Sequence, residues 1–494
     1  MHSERETLII TPEDMAAVDR DAALSGISSL GLMERAGQAV AAAALRRFPG
    51  ALRFVVFCGP GNNGGDGYVA ARALWEAGAG VCVHALGDLA RLSGDAAVML
   101  AAWADPVTPL EDCAIEPGDI VIDAIFGAGL TRDVPDAVAR LVEAVRDHAA
   151  PVVAVDLPSG VDGRTGAIRR AAFQAAVTVT FLCRKPGHLL LPGRALSGEV
   201  EVFDIGVPNR ILMRHSHHVR VNAPEIWRAA LPEAHAGAHK YARGHLAVFS
   251  GPAAATGAAR LSAEAGLHAG AGLVTLLSPA TALSANAAHL TAIMLKEVGD
   301  ESQLAALIED KRLETFVLGP GFADPEKARA YAGLLAGEGR RLVLDADGIT
   351  AFRDAPQALF ALFRDGAPHL VLTPHDGEFA RLFPDLANDD ALSKIDRARQ
   401  AAARSHAVVI LKGADTVIAA PDGRALVNAN APPWLATAGS GDVLAGIVGA
   451  HLAQGVPTFE AAAAAVWRHG EAARIAGEGL TAEELPPAIP PWPR

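Results

Sequence analysis

Short apolar runs that stop at a cluster of glycine, acid and amide residues recur along the whole chain, and that repetition leaves few folds open. In the first part, Arg53–Cys58 runs into Gly59-Pro60-Gly61-Asn62-Asn63-Gly64-Gly65-Asp66-Gly67. Ile120–Ile122 runs into Asp123-Ala124-Ile125-Phe126-Gly127, and Val152–Val155 into Asp156-Leu157-Pro158-Ser159-Gly160. A helix over Tyr68–Ala77 and a strand over Val81–Leu86 complete a βαβ unit around the first cluster. Strands alternating with helices predict a parallel α/β sheet covered on both faces, with ligands beyond the carboxyl ends of the strands. Each cluster falls at such an end.

The alternation resumes later. His245–Ser250 leads into Gly251–Gly257, and a strand over Leu273–Leu277 follows. Thr315–Leu318 meets Gly319-Pro320-Gly321, Arg341–Leu344 meets Asp345-Ala346-Asp347-Gly348, and Leu370–Leu372 meets Thr373-Pro374-His375-Asp376-Gly377-Glu378. Val408–Leu411 meets Lys412-Gly413-Ala414-Asp415-Thr416. A chain of 494 residues exceeds one ordinary core. Two domains are expected, 1–215 and 222–494. Strands over Val177–Cys183 and Glu199–Asp204 finish the first, and helices over Thr11–Phe48 begin it, with Thr11-Pro12-Glu13-Asp14 as a start signal. Asn209–Ala223, with His215, His217 and His218, reads as a solvated linker, since no carboxylate or cysteine flanks the histidines. Phe459–Gly477 reads as an amphipathic packing helix and Pro486–Arg494 as an irregular tail.

Net charge of −13 argues against nucleic acid as a bulk partner. Four cysteines without paired short spacing fit neither a zinc site nor a disulfide framework, which points to a reducing compartment. The N-terminus lacks a signal-peptide apolar core, and alanine-rich runs are broken by charge or glycine before they reach membrane-spanning length. A cytoplasmic protein is expected.

Asn62, Asn63, Asp66, Asp123, Asp156 and Ser159 form an oxygen-rich set without sulfur or histidine, suited to a hard cation and a polar ligand. Gly59, Gly61 and Gly64 fit the spacing G-x-G-x-x-G, a weak match. Two asparagines and an acid inside that loop would crowd a pyrophosphate, so standard NAD docking is not expected. Late in the chain, Gly439-Ser440-Gly441-Asp442 opens an apolar helical run. Its backbone N–H groups can hold an anion, while a carboxylate beside bound phosphate suggests proton transfer. A surface Asp in a capped helix is the plainer alternative. His375 can be a cap or a ligand contact, and Lys412 and Thr416 bracket a turn that can reach phosphate or ribose.

These motifs, taken together, resemble the bifunctional NAD(P)H-hydrate repair family over nearly the whole chain. The resemblance implies a Rossmann-like three-layer epimerase domain followed by a ribokinase-like dehydratase domain. The first would interconvert the R and S epimers of hydrated NADH or NADPH, and the second would dehydrate the S epimer at the expense of ADP, with magnesium assisting. It implies potassium ligation by Asn63, Asp123 and Ser159. Hydrate contacts would come from Asn62, Asn63, Gly64, Gly65, Asp66, Gly127, Ala128, Gly129, Leu130, Thr131, Arg132, Asp133 and Asp156. In the second half they would come from Gly319, His375 and Asp442. Lys412, Gly413, Ala414, Asp415, Thr416 and Gly441 would meet the adenine nucleotide. Asp442 is the expected base for dehydration and Asp156 the expected acid/base group for epimerisation. The hydrates and ADP are the expected small-molecule partners, with no nucleic acid or membrane, and a homo-oligomer is expected. Gly251–Thr256 departs from the family in being alanine-rich. Two rival readings stand beside this one: a ribokinase-like kinase of a vitamin-type alcohol fused to a Rossmann-like binding domain, and a first half that only binds.

Overall fold

The computed structural model describes residues 2–216, 218–232 and 240–493. The chain divides into two compact units, Met1–Val219 and Arg220–Arg494.

The first unit is built on a seven-stranded parallel sheet of order β3-β2-β1-β4-β5-β6-β7. Its strands are β1 (Arg53–Cys58), β2 (Gly80–Ala85), β3 (Val107–Pro109), β4 (Ile120–Ala124), β5 (Val152–Val155), β6 (Val177–Phe181) and β7 (Glu199–Phe203). Side chains alternate across a strand, and β1 shows why its run is apolar throughout. Phe54, Val56 and Cys58 enter one core, with the helices Pro12–Leu24, Ser29–Arg47 and Asn62–Glu76. Val55 and Phe57 enter the other, with the helix Asp136–Asp147. Thr11 caps the first of these helices by accepting from the Asp14 amide at 3.2 Å.

The helix after β1 begins at Asn62, not at Tyr68. Asn62–Gly67, read from sequence as loop, is its first turn and a half. Its glycines serve packing: a Cβ on Gly64 would lie on the Gly59 carbonyl oxygen, and one on Gly67 would lie 2.7 Å from Ala124 Cβ and 2.8 Å from Cys58 Sγ. The segment expected as a solvated linker also carries structure. Asn209–Arg214 is helical with Ile211 and Leu212 buried, and His215 Nε2 sits 3.0 Å from Asp21 Oδ2. His217 lies outside the described residues.

The second unit holds a ten-stranded sheet of order β11-β10-β9-β12-β13-β14-β15-β16-β17-β8. The strands are β8 (Val219–Val221), β9 (His245–Phe249), β10 (Leu273–Ser278), β11 (Met294–Glu297), β12 (Thr315–Leu318), β13 (Arg341–Leu344), β14 (Leu370–Leu372), β15 (Val408–Leu411), β16 (Val417–Ala419) and β17 (Ala425–Val427). The stretch from β11 to β15 is parallel, while β15–β16 and β16–β17 are antiparallel. The β16–β17 hairpin escaped the sequence reading because its strands have three residues each. Pro421-Asp422-Gly423, with Gly423 at φ +91°, was its turn signal. The helix Thr458–Ala476 is buried on most of its faces rather than on one stripe, and the tail holds one further helical turn, Leu485–Ala488. Among the described residues, no helix is long and apolar enough to cross a membrane.

The contact at Gly64 yields a prediction. Gly64→Ala must push the helix Asn62–Glu76 off β1 and should cost about 2–3 kcal/mol. Gly61→Ala, whose Cβ would meet nothing within 4 Å, should change stability by less than about 0.5 kcal/mol. Urea unfolding of both variants checks this, and equal effects would refute it.

Candidate functional site

In the first unit a cavity of about 770 Å³ opens at the carboxyl ends of β1, β4, β5 and β6. Asn62, Asn63, Asp66, Gly127, Ala128, Gly129, Leu130, Thr131, Arg132 and Asp156 line it. Gly64 and Gly65 instead pack behind it, and Asp133 is exposed outside its lining.

Asp156 is the best-held group of this site. It follows β5 directly and adopts φ +64°, a left-handed backbone that non-glycine residues seldom take. Its side chain accepts from the Ala128 amide at 2.9 Å, from Thr180 Oγ1 at 2.9 Å and from Lys185 Nζ at 2.6 Å. His188 Nε2 donates to the Asp156 carbonyl at 2.7 Å, while Nδ1 accepts from the Lys185 amide at 3.0 Å, which fixes the imidazole tautomer. Lys185 is only 2% exposed. Burial alone would raise the Asp156 carboxyl, but the Lys185 ammonium and the amide of Ala128 hold it down at about 2. Burial and the Lys185 charge press His188 down to about 4, so it is neutral. Asp66, on the same cavity, shows the reverse. Burial, with Asp156 and Asp19 nearby, holds its carboxyl well above the ordinary range. One wall thus carries two carboxyl groups shifted in opposite directions.

Asp123 is fully buried. It accepts from the Ser159 amide at 2.7 Å, Ser159 Oγ at 2.6 Å and the Ile125 amide at 3.3 Å. Burial nonetheless pushes it up to about 6. Ser159 Oγ in turn accepts from the Phe126 amide at 2.8 Å, next to Gly127. A Cβ on Gly127 would lie 2.9 Å from both Asn63 Oδ1 and Asp156 Oδ2. The three oxygen-bearing residues expected around a cation therefore converge on the Phe126–Gly127 turn. Asn63 Nδ2 is buried without a partner among the described residues.

In the second unit, Gly439 takes φ +86° and starts the helix Ser440–Ala453, placing Asp442 in its first turn. Burial, and then the carboxylate of Asp345, push Asp442 up to about 6, against the pull of Lys412. Lys412 Nζ donates to Asp345 Oδ1 at 2.8 Å and lies 3.8 Å from Glu378 Oε2. Burial lowers the lysine, yet these two carboxylates raise it on balance, so it stays charged. A Cβ on Gly441 would stand 3.3 Å from Lys412 Nζ, and one on Gly319 (φ +132°) would lie on the Asp345 carbonyl. Gly319, Asp345, Glu378, Lys412, Gly441 and Asp442 are thereby brought together.

His375 caps the helix Asp376–Leu382: Nδ1 accepts from the Gly377 amide at 3.0 Å and the Glu378 amide at 3.3 Å. The ring is exposed, and a proton on Nε2 faces Glu378 Oε1 at 3.4 Å. Lys412 to Thr416 do not form one strip. Asp415 turns inward to Lys394 Nζ at 2.6 Å, Gly413 and Ala414 are exposed, and Thr416 Oγ1 closes the turn by donating to the Gly413 carbonyl at 2.7 Å.

Residues 246–489 match the family described as NAD(P)H-hydrate dehydratase, and residues 29–187 match that described as YjeF-related protein N-terminus. The chain is 36% identical over 499 residues to the bifunctional NAD(P)H-hydrate repair enzyme Nnr of Moorella thermoacetica, covering 95% of this chain and 93% of the relative. It is 32% identical to that of Escherichia coli, covering 96% of this chain and 91% of the relative. The chain belongs to the bifunctional NAD(P)H-hydrate repair family. Among solved structures, it resembles an ADP/ATP-dependent NAD(P)H-hydrate dehydratase from Bacillus subtilis, at 25% identity and TM-score 0.45, over 55% of this chain and 95% of that one. A ribokinase-like superfamily protein from Enterococcus faecalis matches at 23% identity and TM-score 0.47, over 55% of this chain and 94% of that one.

For this family member, the sequence reading missed Lys185, His188 and Asp19, all of which meet Asp156 or share its cavity. Lys185-Pro186-Gly187-His188 follows β6 just as the recognised clusters follow their strands, but it carries no acid or amide. Asp19 sits mid-helix with nothing local to mark it. Lys185→Met would leave Asp156 buried without its counter-charge and should cost about 3–5 kcal/mol. Urea unfolding measures this, and an unchanged midpoint would show that the pair does not hold the site.

Proposed function

We propose that the chain repairs hydrated nicotinamide dinucleotides in two steps. The first unit interconverts the R and S epimers, and the second dehydrates the S form with ADP, yielding NAD(P)H, AMP and phosphate. The observation that carries this reading is full-length kinship with bifunctional repair enzymes, joined to one strand-end site in each unit.

Hydroxide is a poor leaving group, so the C6 hydroxyl of the hydrate must be activated. Asp442 takes the hydroxyl proton as the oxygen attacks the terminal phosphorus of ADP, and the bond to AMP breaks. Backbone amides at the start of the helix Ser440–Ala453 and the Lys412 ammonium face the charge on the transferring group. The phosphate ester then departs with the C6–O electrons. The ring-nitrogen lone pair forms the C=N bond, and loss of a proton from C5 restores the dihydropyridine. A base near pH 6 suits this role, since it is ionised at neutral pH yet retains basicity.

Magnesium would come with the nucleotide, held mainly by its phosphates and water. Asp345 and Glu378 are engaged by Lys412, which leaves Asp347 as the nearby carboxylate to hold it with phosphate and water. When bound, it would offset negative charge on the phosphates. In the first unit, Asn63 through its Oδ1, Asp123 and Ser159 would hold potassium, while the unpaired Asn63 Nδ2 is a donor and suits an acceptor oxygen of the hydrate instead. Such an ion would neutralise part of the buried charge around Asp123. Asp156, kept ionised by Lys185, would take a proton from the hydrate, and Asp66, whose carboxyl burial shifts upward, lines the same cavity. Four free cysteines support a cytoplasmic setting.

The test is incubation with S-NADH hydrate and ADP, with ATP in parallel, following the absorbance of the reduced cofactor. Absence of recovery, with phosphorylation of a vitamin-type alcohol, would overturn the reading in favour of a kinase. Asp442→Asn should retain nucleotide binding and lose roughly 10²–10⁴-fold in dehydration rate. The sign of the pH dependence follows from the raised carboxyl. Below pH of about 6 Asp442 is protonated and cannot accept, so the wild-type rate should climb through that pH and level above it. A rate that falls with rising pH in that range would exclude Asp442 as the base.

A further inference from the structure

A second cavity of about 180 Å³ lies at the carboxyl ends of β1 and β2, lined by Gly59, Pro60, Tyr68, Asp88 and Arg91 among others. Pro60 lines both this cavity and the larger one, so the two meet across the Gly59-Pro60-Gly61 turn. Tyr68 is 1% exposed, and its hydroxyl has no hydrogen-bond partner among the described residues. A buried hydroxyl left unpaired is costly, which points to a ligand that completes it. Asp88 ends the turn after β2. One of its oxygens accepts from the Ala90 amide at 3.0 Å, and the other has no hydrogen-bond partner among the described residues. Arg91 is exposed and forms no ion pair among the described residues.

The glycines beside this cavity divide the work of a dinucleotide turn. A Cβ on Gly59 would strike the Ile125 carbonyl, and one on Gly64 the Gly59 carbonyl, while Gly61 has open space around it. Those are the three roles of the G-x-G-x-x-G turn: a tight bend, close approach of a ligand's pyrophosphate, and close packing of helix on strand. The sheet order β3-β2-β1-β4 and an acid just past β2 complete the arrangement that holds an adenosine ribose in dinucleotide folds. Asn62 and Asn63, expected from sequence to crowd a pyrophosphate, lie in the first turn of the helix and line the larger cavity together with Gly61.

We propose that this smaller cavity is the adenosine-ribose subsite for the dinucleotide hydrate. Asp88 accepts from the ribose hydroxyls, Tyr68 donates to the ribose or its 2′ substituent, and Arg91 meets a 2′-phosphate when one is present. The proposal rests on the larger cavity being the epimerisation site for the nicotinamide end. It implies that the pyrophosphate crosses the turn at Gly61.

The full chain is assayed by chromatographic separation of R and S epimers, using NADH hydrate, NADPH hydrate and the hydrate of reduced nicotinamide mononucleotide, which lacks adenosine. For Tyr68→Phe and Asp88→Asn, KM for both dinucleotides should rise roughly five- to tenfold while the mononucleotide KM stays unchanged. Arg91→Ala should raise KM for the NADPH form by a similar factor and spare the NADH form. Deleting an unpartnered hydroxyl should not lower the thermal stability of Tyr68→Phe, so a packing role and a ligand role diverge. If the variants shift the mononucleotide equally, or leave the dinucleotides unchanged, the subsite is refuted. Absence of epimerisation of every hydrate by the wild type would instead refute the reading of the larger cavity.

Discussion

Close approach of one backbone to another, at glycines whose Cβ has no room, positions the helices that carry both candidate sites. In the first unit Gly64 lays the helix Asn62–Glu76 against the Gly59 carbonyl, and this brings Asn62, Asn63 and Asp66 to the cavity wall. In the second unit a Cβ on Gly446 would strike the Ser262 carbonyl, which seats the helix Ser440–Ala453 against Thr256–His268. Ser262 Oγ then donates to the Asp442 carbonyl at 2.7 Å. Any larger residue at either glycine would move the helix start, and with it the amides and acids that project from that start. The abundance of glycine and alanine is thus a packing requirement before it is a feature of ligand loops.

Given that scaffold, the two sites diverge through their charges. Asp156 follows a strand of the first sheet and Asp442 opens a helix in the second unit, and burial acts on both in the same direction. Asp156 has three donors on its carboxylate, one of them a lysine at 2.6 Å, and the balance falls towards the ionised form. Asp442 shares its lysine with Asp345 and Glu378, which hold Lys412 more closely, and the balance falls towards protonation. Direct bonding to the lysine separates the two: Lys185 Nζ donates to Asp156 itself, whereas Lys412 Nζ donates to Asp345 and acts on Asp442 only from a distance.

Much of this was legible in the sequence, because strand runs and strand-end clusters are local patterns. Gly439–Asp442 read correctly as a helix start, and the clusters holding Asn63, Asp123 and Ser159 read correctly as lying at strand carboxyl ends. Asn62–Gly67 read as loop because glycine and asparagine disfavour helix, and only the contact with β1 repays that preference. Lys185 stayed hidden since a lone lysine after a strand is ordinary, and its partner lies 29 positions earlier in the chain. His375 was ambiguous between cap and ligand contact, and its Nδ1 serves as the cap while Nε2 remains turned towards Glu378.

The glycine turn after β1 shows how a weak local motif gains meaning from position. Gly59, Gly61 and Gly64 at G-x-G-x-x-G spacing occur in many loops, and the asparagines between them argued against a dinucleotide. Because the helix begins at Asn62, those side chains belong to its first turn and line the larger cavity. The bend itself is closed on one side by Ile125, on the other by Gly64, and stays open only at Gly61. A ligand that spans the two cavities must therefore cross there, with its nicotinamide end toward β4 and β5 and its other end toward β2. The same turn that sets the helix against the sheet also sets the direction in which a dinucleotide can lie.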